Sequence, residues 1–246
     1  METNEYTIMA DVEDTYWWFV GRRFLLERLL DAVSSAERHH QSIDIGCGTG
    51  SVLNVLTGYG AAYGVDASQT ALTACRDRGF DRIARCDVNR SLPFRDNSFQ
   101  FITCLDVLEH IEHDRRLVRE MTRICAPGGM VMVTVPALDA LWSMHDEALH
   151  HRRRYTLRRL QQLTVGLNCT VALISYFNTM LFLPILCIRK IRDTLRQGTP
   201  PKSDFYISIP AGINQLLTVL FKAEMALLSH LRLPFGVSLL MVLQKT

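Results

Sequence analysis

Five short apolar runs, at 43–45, 62–65, 82–86, 99–105 and 130–135, are separated by stretches long enough to hold a helix. This alternation constrains the fold more than anything else in the chain, because strands joined by helix-length crossovers assemble into a parallel sheet covered on both faces. Two further strands are expected over 170–176 and 237–243, with apolar helical candidates near 179–196 and 211–231 between them. Ahead of the first strand, Phe24, Leu25, Leu26, Leu29 and Leu30 recur at helical spacing. The expected fold class is α/β, with a doubly wound, mostly parallel seven-stranded Rossmann-like sheet. With 246 residues the chain suits one large domain over 1–246. Within it we expect a helical cap over 1–40, a core over 40–136 and an apolar helical insertion over 177–236, before the last strand. Short helices are predicted over 51–56 and 156–163, and Pro127-Gly128-Gly129 reads as a turn leading into the fifth strand.

Gly46, Gly48 and Gly50 follow the first predicted strand and precede the helix at 51–56. In that place glycines let the backbone pass close beneath a ligand, and the helix N-terminus offers it amide hydrogens. A dinucleotide loop would require glycine where Ser51 stands, and a P-loop would require a Gly-Lys-Ser/Thr ending that is absent. Asp66 closes the second strand, where a carboxylate can accept hydrogen bonds from two ribose hydroxyls. Asp87 follows the third strand.

These residues resemble the class I S-adenosylmethionine-dependent methyltransferases of the type 11/12-like kind. The likeness is carried by Asp44-Ile45-Gly46-Cys47-Gly48-Thr49-Gly50, Val65-Asp66-Ala67-Ser68, Cys86-Asp87-Val88, Leu92-Pro93-Phe94 with Asn97-Ser98-Phe99, Asp106-Val107-Leu108-Glu109-His110, and Pro127-Gly128-Gly129. The resemblance implies S-adenosyl-L-methionine as cofactor and S-adenosyl-L-homocysteine as product. It also implies cofactor contacts at Asp44, Gly46, Cys47, Gly48, Gly50, Asp66, Ala67, Asp87, Val88, Leu105 and Asp106. Asp66 would hold the ribose, Asp87 would face the adenine amine, Leu105 and Asp106 would lie near the methionine amine, and Glu109 and His110 would edge the acceptor pocket. The flanks resemble one branch of the family through Tyr16-Trp17-Trp18-Phe19 with Arg22-Arg23 and through His151-Arg152-Arg153-Arg154-Tyr155. The aromatic helix is read either as a lid over the cofactor or as a helix packed on the sheet.

Methyl transfer from a sulfonium is an in-line displacement that chiefly needs orientation, with a base required when the acceptor must lose a proton. His110, His145, His150 and His151 fall at or after strand ends, and His110, His151 and His145 are the candidate bases. Their spacing matches no recognised metal-ligand pattern, so no metal is expected. Arginines 152, 153, 154, 158 and 159 either hold an acidic group of the acceptor or form a solvated helix face.

Lys and Arg number 27 against 25 for Asp and Glu, so the charge balance gives no push toward nucleic acid, and nucleic acid is not expected as partner. The seven cysteines lack ligand spacing and read as buried thiols in a reducing compartment. The acidic, polar N-terminus does not resemble a secretory signal. A cytoplasmic enzyme is expected. The stretch 160–188 lacks charge but is interrupted by Gly166, Asn168, Asn178 and Pro184, which argues against a span. Its apolar surface points to a small or lipid-like acceptor, to peripheral contact with a membrane, or to a homodimer interface. Methyl transfer is one reading; the alternative is a protein of this fold that binds the cofactor but catalyses a cyclisation or serves as a binding partner.

Overall fold

The computed structural model describes residues 3–33, 40–195, 200–228 and 230–246. Helices α1 (Thr3–Val12) and α2 (Trp17–Val33) precede β1 (His40–Ile45), α3 (Ser51–Leu56), β2 (Gly60–Asp66), α4 (Gln69–Asp77) and β3 (Ile83–Arg85). Then come β4 (Phe99–Leu105), α5 (Asp114–Ile124), β5 (Cys125–Pro136), α6 (Met144–Ala148) and α7 (Leu157–Gln162). Finally β6 (Cys169–Phe177), α8 (Phe182–Leu195), α9 (Ala211–Leu227) and β7 (Ser238–Lys245) complete the fold.

The seven strands form one sheet in the order β3-β2-β1-β4-β5-β7-β6. β1 to β5 pair in parallel, and β7 is antiparallel to both β5 and β6. Chain order reverses between β1 and β4, so the crevice beyond their carboxyl ends is where such a sheet receives a ligand. Along β7 the side chains alternate: Leu239, Met241 and Leu243 join the core on one face with Leu117, Val118 and Met121 of α5. Leu240 and Val242 join the other core, with Leu25, Leu26 and Leu30 of α2 and Phe221 and Met225 of α9. A strand hydrophobic on both faces is what a sheet covered twice demands.

Several sequence expectations are corrected. No helix joins β3 to β4: residues 86–98 form turns, held by Arg123, whose guanidinium donates to the carbonyls of Leu92 and Phe94 and to Asp96 and Glu120. Pro127-Gly128-Gly129 falls within the span of β5 as a bulge: Phe99 pairs with Cys125 and Phe101 with Met130, with 126–129 outside the register, and Gly128 takes a φ of 73°, so the turn conformation is kept inside the strand. The cysteines are not all core: Cys169 is half-buried and Cys187 exposed, while the other five are buried and all seven are free thiols. The helix expected over 156–163 is α7, with Thr156 as its N-cap, the hydroxyl accepting from Arg159 N at 3.3 Å. Helices α1 and α2 fall within 1–40 and helices α8 and α9 within 177–236, of which 1–2, 34–39, 196–199 and 229 lie outside the described residues.

Helix α9 packs along α2, and a Cβ on Gly21 would lie 1.9 Å from Phe221, so glycine there is what lets the helices meet. By contrast α8 meets the core through half-buried Ile185 and leaves much of its apolar surface outside it. Arg189 is its buried residue, and Leu183, Ile191 and Leu195 are 65%, 57% and 72% exposed.

Candidate active site

A cavity of about 660 Å³ opens at the carboxyl ends of β1, β2 and β4, within the range of small-molecule sites. Its floor is the glycine loop. Gly46, Gly48 and Gly50 all have positive φ, and a Cβ on Gly48, at φ +52°, would meet nothing within 4 Å. The space over Gly48 is the open ligand side of the loop. Asp66 holds the loop in place, its carboxylate accepting from Gly48 N at 3.0 Å and from Ser68 N at 2.8 Å. Beneath, Asp44 is fully buried and accepts from Thr103 Oγ1 at 2.6 Å; burial raises its carboxyl to about 7.

The N-terminal helices close over this floor. Glu13 accepts from Thr49 Oγ1 at 2.6 Å and pairs with Arg78 at 2.6 Å, while Arg23 donates to Ser51 Oγ at 2.8 Å. Tyr6 lines the cavity beside Asp66 and Ser68, and its phenol is pushed up to about 12, first by burial. Arg22 pairs with Asp106 at 2.8 Å through Nη1, leaving its buried Nε without a hydrogen-bond partner among the described residues. The aromatic segment lines the cavity and also packs on the surrounding helices and strands. Trp18 stacks on Phe177 and Phe221, while Phe19 leans on Phe205 with ring centroids 5.0 Å apart.

Of the residues proposed from sequence, Asp44, Gly46, Cys47, Gly48, Asp66, Ala67, Val88, Leu105 and Asp106 line the cavity, as do His110, His145 and His151. Gly50 does not; it lies behind the loop, where a Cβ would press on Phe80 and Cys75. Asp87 also falls outside the lining: it is exposed and accepts from Asn89, and Val88 takes the wall position. His150 is exposed and outside the cavity. Of the five arginines only Arg154 reaches the lining. Its guanidinium is engaged by both Asp146 oxygens at 2.9 Å, Arg153 pairs with Asp114, and Arg152, Arg158 and Arg159 are exposed. The reading of these arginines as an acceptor clamp is therefore corrected, because internal carboxylates or solvent already take them.

The histidines have different roles. His145 Nδ1 accepts from Asp204 N at 3.0 Å, and burial lowers its imidazole to about 3. That neutral ring ties α6 to the segment after α8, where Asp204 also pairs with Arg189 and Arg192. His151 Nδ1 lies 2.9 Å from Asp146 Oδ1, and its Nε2 is 3.9 Å from Glu109 Oε1. His110 packs edge-on against His151 with centroids 4.9 Å apart and is lowered to about 3, chiefly by burial. Glu109 is fully buried, and burial holds its carboxyl well above the usual range.

Sequence reasoning missed Tyr6, Glu13 and Asn178. Asn178 lines the cavity with a buried Oδ1 that no described group satisfies, and has a φ of 61°. Asn two positions beyond the predicted strand was the available signal, since Asn tolerates that conformation. Tyr6 and Glu13 carried none, because what they touch is distant in sequence.

Residues 43–133 match the family model described as Methyltransferase domain. Over 117 residues the chain is 34% identical to the human protein named Probable tRNA methyltransferase 9B, covering 46% of this chain and 24% of that one. It is 28% identical over 139 residues to a ubiquinone/menaquinone biosynthesis C-methyltransferase of Cupriavidus pinatubonensis, covering 53% of this chain and 55% of that one. The chain thus spans between about a quarter and about half the length of these curated relatives. Among solved structures, an S-adenosylmethionine-dependent methyltransferase from Mesorhizobium loti superposes with a TM-score of 0.59 at 15% identity, covering 89% of this chain and 96% of that one. That likeness establishes a common fold.

Proposed function

We propose, from the match of residues 43–133 to the methyltransferase-domain model, an enzyme that moves a methyl group from S-adenosyl-L-methionine to a small, lipophilic acceptor. The observation that carries this reading is the continuity of one cavity. It runs from the glycine loop and Asp66, past Glu109, His110 and His151, to Leu181, Ile185, Ile188, Ile213 and Leu217 at the apolar helices.

The residues fit the cofactor. Gly48 leaves open the space a nucleoside amino acid would fill, Asp66 has lone pairs beyond those its two amide donors use, and Arg22 retains an unpartnered donor beside Asp106 for a carboxylate. When bound, the cofactor supplies an electrophilic methyl carbon, whose bond to sulfur breaks as the acceptor atom attacks. The protein's own part is orientation and exclusion of water. The α1–α2 cap covers the loop side, the apolar walls of α8 and α9 seat the acceptor body, and the Glu109–His110–His151 face meets the atom that loses a proton. Incubation with methyl-labelled cofactor and cell extract tests the reading. Label recovered in the organic-solvent fraction is the expected result, and label confined to RNA or absent altogether would overturn the acceptor class.

A further inference from the structure

Resting on the reading that this cavity receives a methyl acceptor, we propose that Glu109, His110 and His151 together bind one divalent transition-metal ion of the zinc class beside the acceptor. Each offers one ligand atom, and the three atoms lie within 4.8 Å of one another. Two imidazole nitrogens and one carboxylate oxygen are the donor set of catalytic zinc sites, which keep a fourth position open. Here all three residues line the cavity, which is where an open position would be of use.

An independent observation points to the same place. Glu109 is 0% exposed, and neither carboxylate oxygen has a hydrogen-bond partner among the described residues. Buried carboxylates are normally paired or coordinate a metal, and His151 Nε2 lies 3.9 Å from Glu109 Oε1. Tetrahedral bonds of about 2.0–2.2 Å place ligand atoms roughly 3.3–3.6 Å apart, so this pair closes by about half an ångström around a cation.

The outer contacts are those a metal site needs. His151 engages Asp146 through Nδ1, leaving Nε2 turned to Glu109. Asp146 is itself fixed by the two bonds from Arg154. One ring nitrogen of His110 is engaged by the backbone of His150. Partners of this kind orient ligating imidazoles and fix the nitrogen presented. The cation would hold and polarise an oxygen or nitrogen of the acceptor, whose proton would pass to water as the methyl group is transferred, the imidazoles serving as ligands.

Titration of chelator-stripped protein with Co²⁺, followed by its visible absorption and by competition with Zn²⁺, tests this without any turnover. One equivalent should saturate the site and Zn²⁺ should displace it. Glu109→Gln and His110→Ala should each weaken binding at least tenfold with the circular dichroism of the parent, and His113→Ala, on the exposed side of the loop, should leave it unchanged. Histidine modification mapped by mass spectrometry on the unaltered chain adds a readout free of folding effects, Zn²⁺ being expected to protect His110 and His151. Absence of stoichiometric binding, affinity indifferent to both substitutions, or modification indifferent to Zn²⁺ would overturn the metal site. S-adenosylhomocysteine affinity, measured on the same stripped protein, reports separately on the methyltransferase reading.

Discussion

Asp66 serves two ends of the same site. Its carboxylate fixes the glycine loop through the amides of Gly48 and Ser68 while lining the cavity where a ribose would lie. Asp66→Ala is therefore expected to weaken S-adenosylhomocysteine binding by about 1–3 kcal/mol, and calorimetry giving equal affinities would remove the ribose role. Gly48→Val should bind more weakly still, because its side chain would grow into the open ligand space from a backbone at φ +52°. Titration is equally local. The folded chain keeps His145 neutral down to about pH 3, whereas an unfolded histidine takes up a proton near 6.5. Between those values the unfolded state binds the extra proton, so stability falls as pH drops through the window and is unaffected above it. His145→Gln should flatten that acid limb in urea midpoints measured at several pH values; an unaltered slope would contradict burial as the cause.

At the level of elements, the segment after β5 is anchored by charge inside the protein. Asp146 of α6 receives Arg154, and Arg154 also donates to the carbonyl of Ala137 at 2.9 Å. Both partners are essentially unexposed, so removing one leaves the other's charge buried. Arg154→Ala should cost about 3–5 kcal/mol in urea unfolding and misplace His151, which hangs on the same carboxylate. A loss within experimental error would show that water reaches Asp146. Elements such as α3, read in advance over 51–56, were legible because local apolar periodicity and the glycines before it define them. The start of β5 at Cys125, ahead of Pro-Gly-Gly, was not, since it rests on the pairing of Phe99 with Cys125 across the sheet before the bulge.

For the molecule as a whole, the apolar end of the cavity continues onto the surface. Ile188 and Ile213 line the cavity while 47% and 52% exposed, and Leu183, Ile191, Leu216 and Val219 extend the apolar surface of α8 and α9. Among the described residues no helix is long and apolar enough to cross a membrane, and an exposed apolar face of this kind marks an interaction surface for a substrate, a partner subunit or lipid. We expect flotation with liposomes, weakened by Ile191→Glu together with Leu216→Glu, and a monomer on sizing. A dimer that ignores liposomes would assign the face to self-association.

What the sequence determined by itself is the sheet and its ligand loop, because strand period, helix-length crossovers and glycine placement are written within a few residues of one another. Asp44, Gly46, Gly48 and Asp66 were legible for that reason. Tertiary structure alone decided which polar groups remain free to meet a ligand. Asp146 satisfied Arg154, Asp204 satisfied His145, and Glu109 was left buried and without a hydrogen-bond partner among the described residues, beside two imidazoles. The meeting of Glu109 with His151 depends on how β4 and the chain after β5 end side by side, and no local pattern encodes that geometry.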